Sequence, residues 1–127
     1  LASENLPVEK DQVLSSSGND LCPYIADHAE VNFSNAYKDG VLVFASDREG
    51  GYGGFDLSFA TPVEGGWSEP VNFGPGINSA HDEFRPIVIP LDEFTHDFML
   101  FSSNRPGGKG GFDLYYVGIE DFQHHVN

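Results

Sequence analysis

Residues 103–116 read SNRPGGKGGFDLYY, and residues 46–59 read SDREGGYGGFDLSF. The two stretches align without gaps at an offset of 57 residues, and each follows an apolar run, at 98–101 and at 41–44. An apolar run, a glycine-rich turn and a second apolar run are typical of a β-hairpin. The sequence therefore predicts the same hairpin twice, and an internal repeat of this kind dictates the architecture of a chain.

The repeat extends upstream of the hairpin. Residues 70–86 align with residues 7–23 at an offset of 63, which places Pro86 on Pro23. The hairpins align at an offset of 57, which is six residues smaller. The first repeat therefore contains an insertion between Pro23 and Val41 relative to the second. Each repeat then holds an extended piece, a loop, a strand and the hairpin, which amounts to about 60 residues and four strands.

The predicted strands follow the apolar runs between the turns. No segment shows a sustained helical periodicity, so little helix is expected. The middle runs, 41–44 and 114–117, are apolar on both faces, as in sheets that are covered on both sides. We predict an outer strand at 6–10, strands from 21 towards 33, at 41–46, 55–60 and 67–73, and strands at 83–89, 97–103 and 112–118.

Small four-stranded sheets that recur in sequence and stack face to face are typical of a β-propeller. The predicted fold is all-β, with propeller blades of four antiparallel strands and about two blades per chain in permuted order. The chain forms one unit over 1–127, with an outer strand and loop at 6–19, blade 1 at 20–73, blade 2 at 74–118 and a tail at 119–127.

Two blades cannot close a ring, because propellers have at least about four. Other copies of the chain complete the ring, or a longer chain does, and the sequence leaves both readings open. In the first case residues 6–10 supply the missing outer strand of a neighbouring copy. In a further alternative, the tail forms that strand itself.

The net charge of the chain disfavours some classes of binding partner. Twenty Asp and Glu against six Lys and Arg give a formal charge of −14. Such a field repels phosphate backbones and anionic headgroups, so we expect neither nucleic-acid binding nor adsorption to a membrane surface. No run approaches the roughly 18 apolar residues that a spanning helix needs, so we expect no membrane insertion. A single cysteine, Cys22, excludes an internal disulfide.

Two stretches resemble a known family. Residues 101–108, followed by 111–115, look like the PD40 (WD40-like, TolB-type) propeller repeat, and residues 76–86 look like the segment before it in envelope proteins of Bacteroidetes-type bacteria. The resemblance covers about 70–118, and 6–60 more loosely. It implies a cell-envelope protein that is periplasmic, outer-membrane-associated or secreted. The OmpA-like domain that often accompanies such repeats is not among these residues.

The turns and loops carry the candidate binding residues. In a propeller, the hairpin turns and the loops between blades emerge on one face, and binding surfaces are commonly built there. Guanidinium groups beside tyrosine and asparagine could hold a sugar, a carboxylate or a peptide. Alternatively, the arginines pack against neighbouring strands and pair with local acids. The candidate ligand-binding residues are Arg48, Tyr52, Trp67, Asn78, His81, Glu83, Arg85 and Arg105.

The two repeated aspartates have a structural interpretation. Asp56 and Asp113 each follow a glycine-rich turn, where a carboxylate can accept hydrogen bonds from loop amides. No phosphate-binding loop, nucleophile elbow or EF-hand pattern is present. We therefore predict no catalytic residue, no metal ligand and no cofactor.

The expected function is a non-catalytic binding or scaffolding module of the bacterial envelope. The residues and the resemblance point to a protein, peptidoglycan or glycan partner and to a homo-oligomer or a longer propeller. A first alternative is a lectin-like oligomeric propeller that binds sugar between blades through Trp67, Tyr52, Arg48 and Glu83. A second is a fragment of a propeller hydrolase.

Overall fold

The computed structural model describes residues 6–26, 40–89 and 97–119, and within these ranges all regular structure is β-strand. The part of the chain so described contains no helix with the length and apolar character needed to cross a membrane. The strands are β1 (Asp20–Ala26), β2 (Val41–Ser46), β3 (Asp56–Ala60), β4 (Pro62–Val63), β5 (Gly66–Trp67), β6 (Val71–Asn72), β7 (Glu83–Ile89), β8 (Asp97–Ser103) and β9 (Asp113–Ile119).

The strands form two antiparallel sheets and a small hairpin. Sheet 1 has the order β1-β2-β3-β6, sheet 2 has the order β7-β8-β9, and β4 pairs with β5 alone. The pairs β1–β2 and β2–β3 in sheet 1 and the pairs β7–β8 and β8–β9 in sheet 2 join strands that follow one another along the chain, as expected for the twice-repeated hairpin. The all-β prediction is confirmed for the described residues.

Most predicted strands have the expected bounds. Those at 41–46, 83–89 and 97–103 are confirmed without a shift, and β3 and β9 each begin one residue later than predicted. We call β1 and β7, the first strand of each main sheet, the inner strands. The first of them begins at Asp20, and its predicted continuation beyond Ala26 lies outside the described residues, as does the tail from 120.

Two predicted outer strands are not formed as expected within the single chain, and the pairing of residues 6–10 with a neighbouring copy stays a prediction. Residues 6–10 form no strand and are exposed, because no described strand lies beside them to share backbone hydrogen bonds. The strand predicted at 67–73 is reduced to β6, since Trp67 pairs with Pro62 in the β4–β5 hairpin. Pro70, just before β6, has no amide hydrogen to donate to β3.

The core lies between the two sheets. Val43 and Leu57 from sheet 1 pack in one buried cluster with Val88, Met99 and Phe101 from sheet 2. Both faces of β2 are buried, as predicted. Within the single chain, residues 114–117 are covered on one face only, because β9 alternates and exposes Leu114 and Tyr116.

Both inner strands carry the same irregularity. The register of β1 shifts between Leu21 and Tyr24, and that of β7 shifts between Phe84 and Ile87. Inside each bulge one non-glycine residue has a positive φ, 57° at Cys22 and 53° at Arg85. Such a conformation costs a non-glycine residue roughly 1–2 kcal/mol, so both repeats hold backbone strain at the same place.

Candidate functional site

Arg105 is held by groups of its own repeat. Its Nη2 donates to the Ile77 carbonyl at 2.6 Å, and its Nε donates to Ser103 Oγ at 3.0 Å. The same guanidinium lies 3.5 Å from a carboxylate oxygen of Glu83 and 5.1 Å from the ring centroid of Tyr115. Glu83 is fully buried, and it also accepts hydrogen bonds from the hydroxyl of Ser103.

Arg48 repeats this arrangement in sheet 1. Its Nη2 donates to the Leu14 carbonyl at 2.6 Å and to Asp20 Oδ1 at 2.9 Å, and its Nε donates to Ser46 Oγ at 3.0 Å. Its guanidinium lies over the ring of Phe44, 5.3 Å from the centroid. Each arginine therefore ties the loop before the inner strand to the end of the second strand.

Hydrogen bonds lower the pKa values of two carboxylates beside this network. Partial burial acts to raise the pKa of Asp20, but hydrogen bonds from the Ser16 amide, Ser46 and Arg48 outweigh it and hold the pKa at about 2. The backbone and side-chain amides of Asn19 lower the pKa of Asp47. Both groups are therefore charged hydrogen-bond acceptors at neutral pH.

Asn78 clamps the backbone of β3. Its Oδ1 accepts from the Leu57 amide at 2.7 Å, and its Nδ2 donates to the Leu57 carbonyl at 3.0 Å. Its Nδ2 also donates to Asn72 Oδ1 at 2.8 Å. The side chain is buried, so its amide is engaged inside the protein rather than offered to a ligand.

The two repeated aspartates pin the glycine-rich turns, as predicted. Asp56 Oδ2 accepts from the Tyr52 amide at 2.5 Å and from Asn72 Nδ2 at 3.1 Å. Asp113 accepts from the amides of Lys109 and Gly110. Asp56 is buried, and its Oδ1 has no hydrogen-bond partner among the described residues.

The first turn docks on the loop that enters sheet 2. The Gly54 amide donates to the His81 carbonyl at 3.3 Å, and the Phe55 amide donates to Asp82 Oδ1 at 2.8 Å. In return, the Glu83 amide donates to the Phe55 carbonyl at 2.8 Å. The turn that carries Tyr52 thus lies beside His81, and both of these side chains are exposed.

A groove runs between the inner strands β1 and β7. It contains cavities of about 430 Å³ and 230 Å³, and Cys22 and Arg85, the two residues with positive φ, line both. Arg85 is exposed. The wider cavity is lined by Leu21, Cys22, Phe84, Arg85, Ser102 and Phe112, and the narrower by Cys22, Pro23, Tyr24, Arg85, Pro86 and Ile87.

This groove has the features of a small ligand site. Cavities that hold ligands commonly measure about 300–1,000 Å³ and combine apolar walls with a few polar groups. Here the walls include Leu21, Phe84 and Phe112, while Arg85 supplies a fork of donors suited to a carboxylate. The sequence predicted Arg85 as a ligand-binding residue but did not predict the other residues that line the two cavities. The signal that could have indicated them is the alignment of Cys22-Pro23 with Arg85-Pro86 between the repeats.

The eight candidate residues fall into four groups. The polar groups of Arg48, Asn78, Glu83 and Arg105 bond within the protein. Tyr52 and His81 share the turn-and-loop rim, and Arg85 lines the groove. Trp67 lies on the β4–β5 hairpin, which is separate from both main sheets.

The described residues contain no cluster of three or more His, Cys, Asp or Glu placed to hold a metal ion. Comparison of the chain with protein-family models, with curated proteins and with solved structures finds no match.

Proposed function

We propose that the chain is a non-catalytic binding module of the bacterial cell envelope, built from PD40-type propeller blades. Its groove between β1 and β7 recognises a carboxylate-bearing component of the envelope, and peptidoglycan is the first candidate. The envelope location rests on the resemblance of residues 76–86 and 101–115 to PD40-bearing envelope proteins.

The arrangement of the sheets supports the propeller assignment. Sheet 1 places the antiparallel strands β1, β2, β3 and β6 side by side in chain order, with the β4–β5 hairpin inserted before β6, and sheet 2 begins the same order again. The two sheets pack face to face, and equivalent faces point the same way along the stack. Repeated small sheets stacked in this manner are the unit of a propeller.

One observation carries the binding role. Arg85 sits at a strained φ in a cavity of about 430 Å³ whose other walls are mostly apolar. Strained backbone is concentrated at functional sites, because the surrounding structure must hold it in place. A guanidinium in such a cavity is a specific receptor for a carboxylate, and it is a local cation in a chain of net charge −14.

Three of the other ionisable candidates, Glu83, Arg48 and Arg105, support a role without catalysis. Glu83, Arg48 and Arg105 already hold loops and strand ends together through two or more hydrogen bonds each. A general acid or base has to exchange protons with a substrate, whereas these groups have their positions fixed by structural partners.

Binding to purified peptidoglycan tests the proposal, with an acidic and neutral glycan array beside it. Arg85→Gly removes the guanidinium and also relieves the positive φ, so the variant keeps its melting temperature or raises it. We expect saturable binding that Arg85→Gly weakens at least tenfold, on the order of 1.4 kcal/mol. Lys10→Ala, which removes an exposed cation outside the groove, is the matched control. Equal binding by wild type and Arg85→Gly contradicts the proposal.

A further inference from the structure

The repeat allows the same face to be compared in the two sheets. Leu57 is 0% exposed and Phe59 is 5% exposed, because sheet 2 covers this face of sheet 1. Their equivalents at the offset of 57 are Leu114 and Tyr116, which are 72% and 74% exposed. The face of sheet 2 that corresponds to a buried interface is therefore open. Its exposed apolar side chains are those of Ile87, Ile89, Phe112, Leu114 and Tyr116.

The glycine-rich turn at the end of this face has open space beside it. In the first repeat, a side chain at Gly53 would collide with the His81 carbonyl, and one at Gly54 would collide with the Asp82 carboxylate. In the second repeat, a β-carbon at Gly111 would meet nothing within 4 Å, and one at Gly110 would meet no atom closer than 3.8 Å. These two glycines leave room for a loop that the described residues of the chain do not supply.

The chain carries a surface of matching shape at its other end. Val88, on the side of β7 that packs against sheet 1, is 1% exposed, whereas its equivalent at the offset of 63, Ile25 in β1, is 55% exposed. The loop equivalent to 81–83 is residues 18–20, and it is exposed as well. The surface that β7 uses to contact sheet 1 is thus present a second time on β1 and is open there.

Hydrogen-bonding groups are available on both surfaces. Asn19 bonds to Asp47 through its backbone groups and its Nδ2, which leaves its Oδ1 without a donor among the described residues. In the second repeat the equivalent oxygen, Asp82 Oδ1, accepts from the Phe55 amide. Phe112 is the equivalent of Phe55, and its amide has no acceptor in the part of the chain described.

We propose that a second copy of this chain docks on the open face of sheet 2 through its β1 and the loop before it. The contact repeats the one between sheet 1 and sheet 2. It joins the Gly111 amide to the Gly18 carbonyl of the other copy, and the Phe112 amide to its Asn19 Oδ1. Ile25 of the second copy then covers Leu114 and Tyr116. The assembly is head to tail. In this contact the head is the docking surface on β1, and the tail is the open face of sheet 2, not the C-terminal segment.

Charge sets the conditions under which this contact forms. Each copy carries a formal charge of −14, so copies repel one another when the ionic strength is low. At about 0.15 M salt the Debye length is about 8 Å, and the repulsion is largely screened while the apolar contact is not. Association should therefore strengthen as salt is added.

The test uses the fact that the contact joins two different surfaces of the chain, the head and the tail. The experiment requires no ligand. Ile25→Glu disables the head and Leu114→Glu disables the tail, and both positions are exposed in a single chain. By light scattering, wild type should exceed the single-chain mass of 13.9 kDa, and each variant alone should return to it. An equimolar mixture of the two variants should form a dimer and nothing larger, because one working head meets one working tail.

A second variant addresses the turn alone. Gly110→Ala with Gly111→Ala meets no close atom within a single chain, so its melting temperature should be unchanged while the assembly is lost. Gly76→Ala, which also meets nothing within 4 Å, is the control and should assemble like wild type. A wild-type mass of 13.9 kDa, a mixture of head and tail variants that stays monomeric, or full assembly by the double alanine variant would each overturn the proposal.

Discussion

Asp82 and Asn104 exchange hydrogen bonds in both directions. The Asp82 amide donates to Asn104 Oδ1 at 2.8 Å, and the Asn104 amide donates to the Asp82 carbonyl at 3.3 Å. In the first repeat, Asn19 and Asp47 make the same two contacts, at 2.6 Å and 3.2 Å, with the residue types exchanged. Each repeat thus needs one carboxylate and one carboxamide at this junction, and either position can hold either.

The exchange predicts a compensating double variant. Asn104→Asp alone places two carboxylates side by side and should lower the free energy of unfolding by about 1–2 kcal/mol. Adding Asp82→Asn restores one charge and one carboxamide, and it keeps an oxygen for the Phe55 amide. Urea unfolding should show that the double variant recovers at least half of the loss. Losses that simply add would mean that the two side chains are not coupled.

The two equivalent arginines should differ in their effect on stability. Arg105→Ala leaves the fully buried Glu83 carboxylate without its cation, which we expect to cost about 3 kcal/mol. Arg48→Ala leaves Asp20, whose side chain is partly open to solvent, and should cost about 1 kcal/mol. Denaturant unfolding of the two variants measures the difference directly. Equal losses would show that burial of the acid does not decide the cost.

The Asn78 clamp on β3 should control local opening. Asn78→Ala removes the partners of the buried Leu57 amide and carbonyl, so the free energy of unfolding should fall by about 2 kcal/mol. Hydrogen exchange at the Leu57 amide should accelerate more than exchange elsewhere in β3. Ser17→Ala, at an exposed position, is the control. Unchanged protection of Leu57 in Asn78→Ala would contradict this role.

Acid should weaken the first repeat through Asp20. Because its pKa in the folded protein is about 2, below the 3.8 of a free aspartate side chain, the ionised carboxylate stabilises the fold fully above pH 3.8, and this contribution is lost as the pH falls through about 2. Asp20→Asn should be less stable than wild type by about 1 kcal/mol at neutral pH, after allowance for solvent screening.

The same difference in stability should shrink as the pH falls below 3.8 and be largely lost by about pH 2, as measured by urea unfolding at a series of pH values. Ser16→Ala removes a hydroxyl donor to this carboxylate, so it should move the acid transition of the Asp20 contribution to higher pH. A difference between wild type and Asp20→Asn that is constant from pH 7 to pH 2 would contradict the assignment.

Local pattern was sufficient to predict most strands. The bounds of β2, β7 and β8 follow from apolar runs between glycine-rich turns, and these signals lie within a few residues of each strand. The outer strands failed because strand formation there depends on a neighbour. Residues 6–10 have a suitable composition but no strand beside them, and Trp67 pairs with the nearer Pro62 across the Glu64–Gly65 turn.

The candidate site was only partly accessible from sequence. The expectation that the hairpin turns and the loops between repeats share one face agrees with the observed contact between the Tyr52 turn and the His81 loop. It could not decide between ligand binding and internal pairing for Arg48 and Arg105. That choice depends on side-chain conformation. Arg85, which lines the groove, has a positive φ, and neither arginine nor proline is a residue type that predicts this backbone conformation.

The order of the two sheets along the chain has a geometric consequence for any assembly. A head-to-tail contact makes a closed ring when the rotation per copy divides a full turn, and otherwise it makes an open filament. If the contact between copies repeats the one within a copy, the crossing angle between sheet 1 and sheet 2 already fixes that rotation. The packing of Leu57 and Phe59 against Val88 would therefore determine whether copies of this chain form discrete particles or fibres.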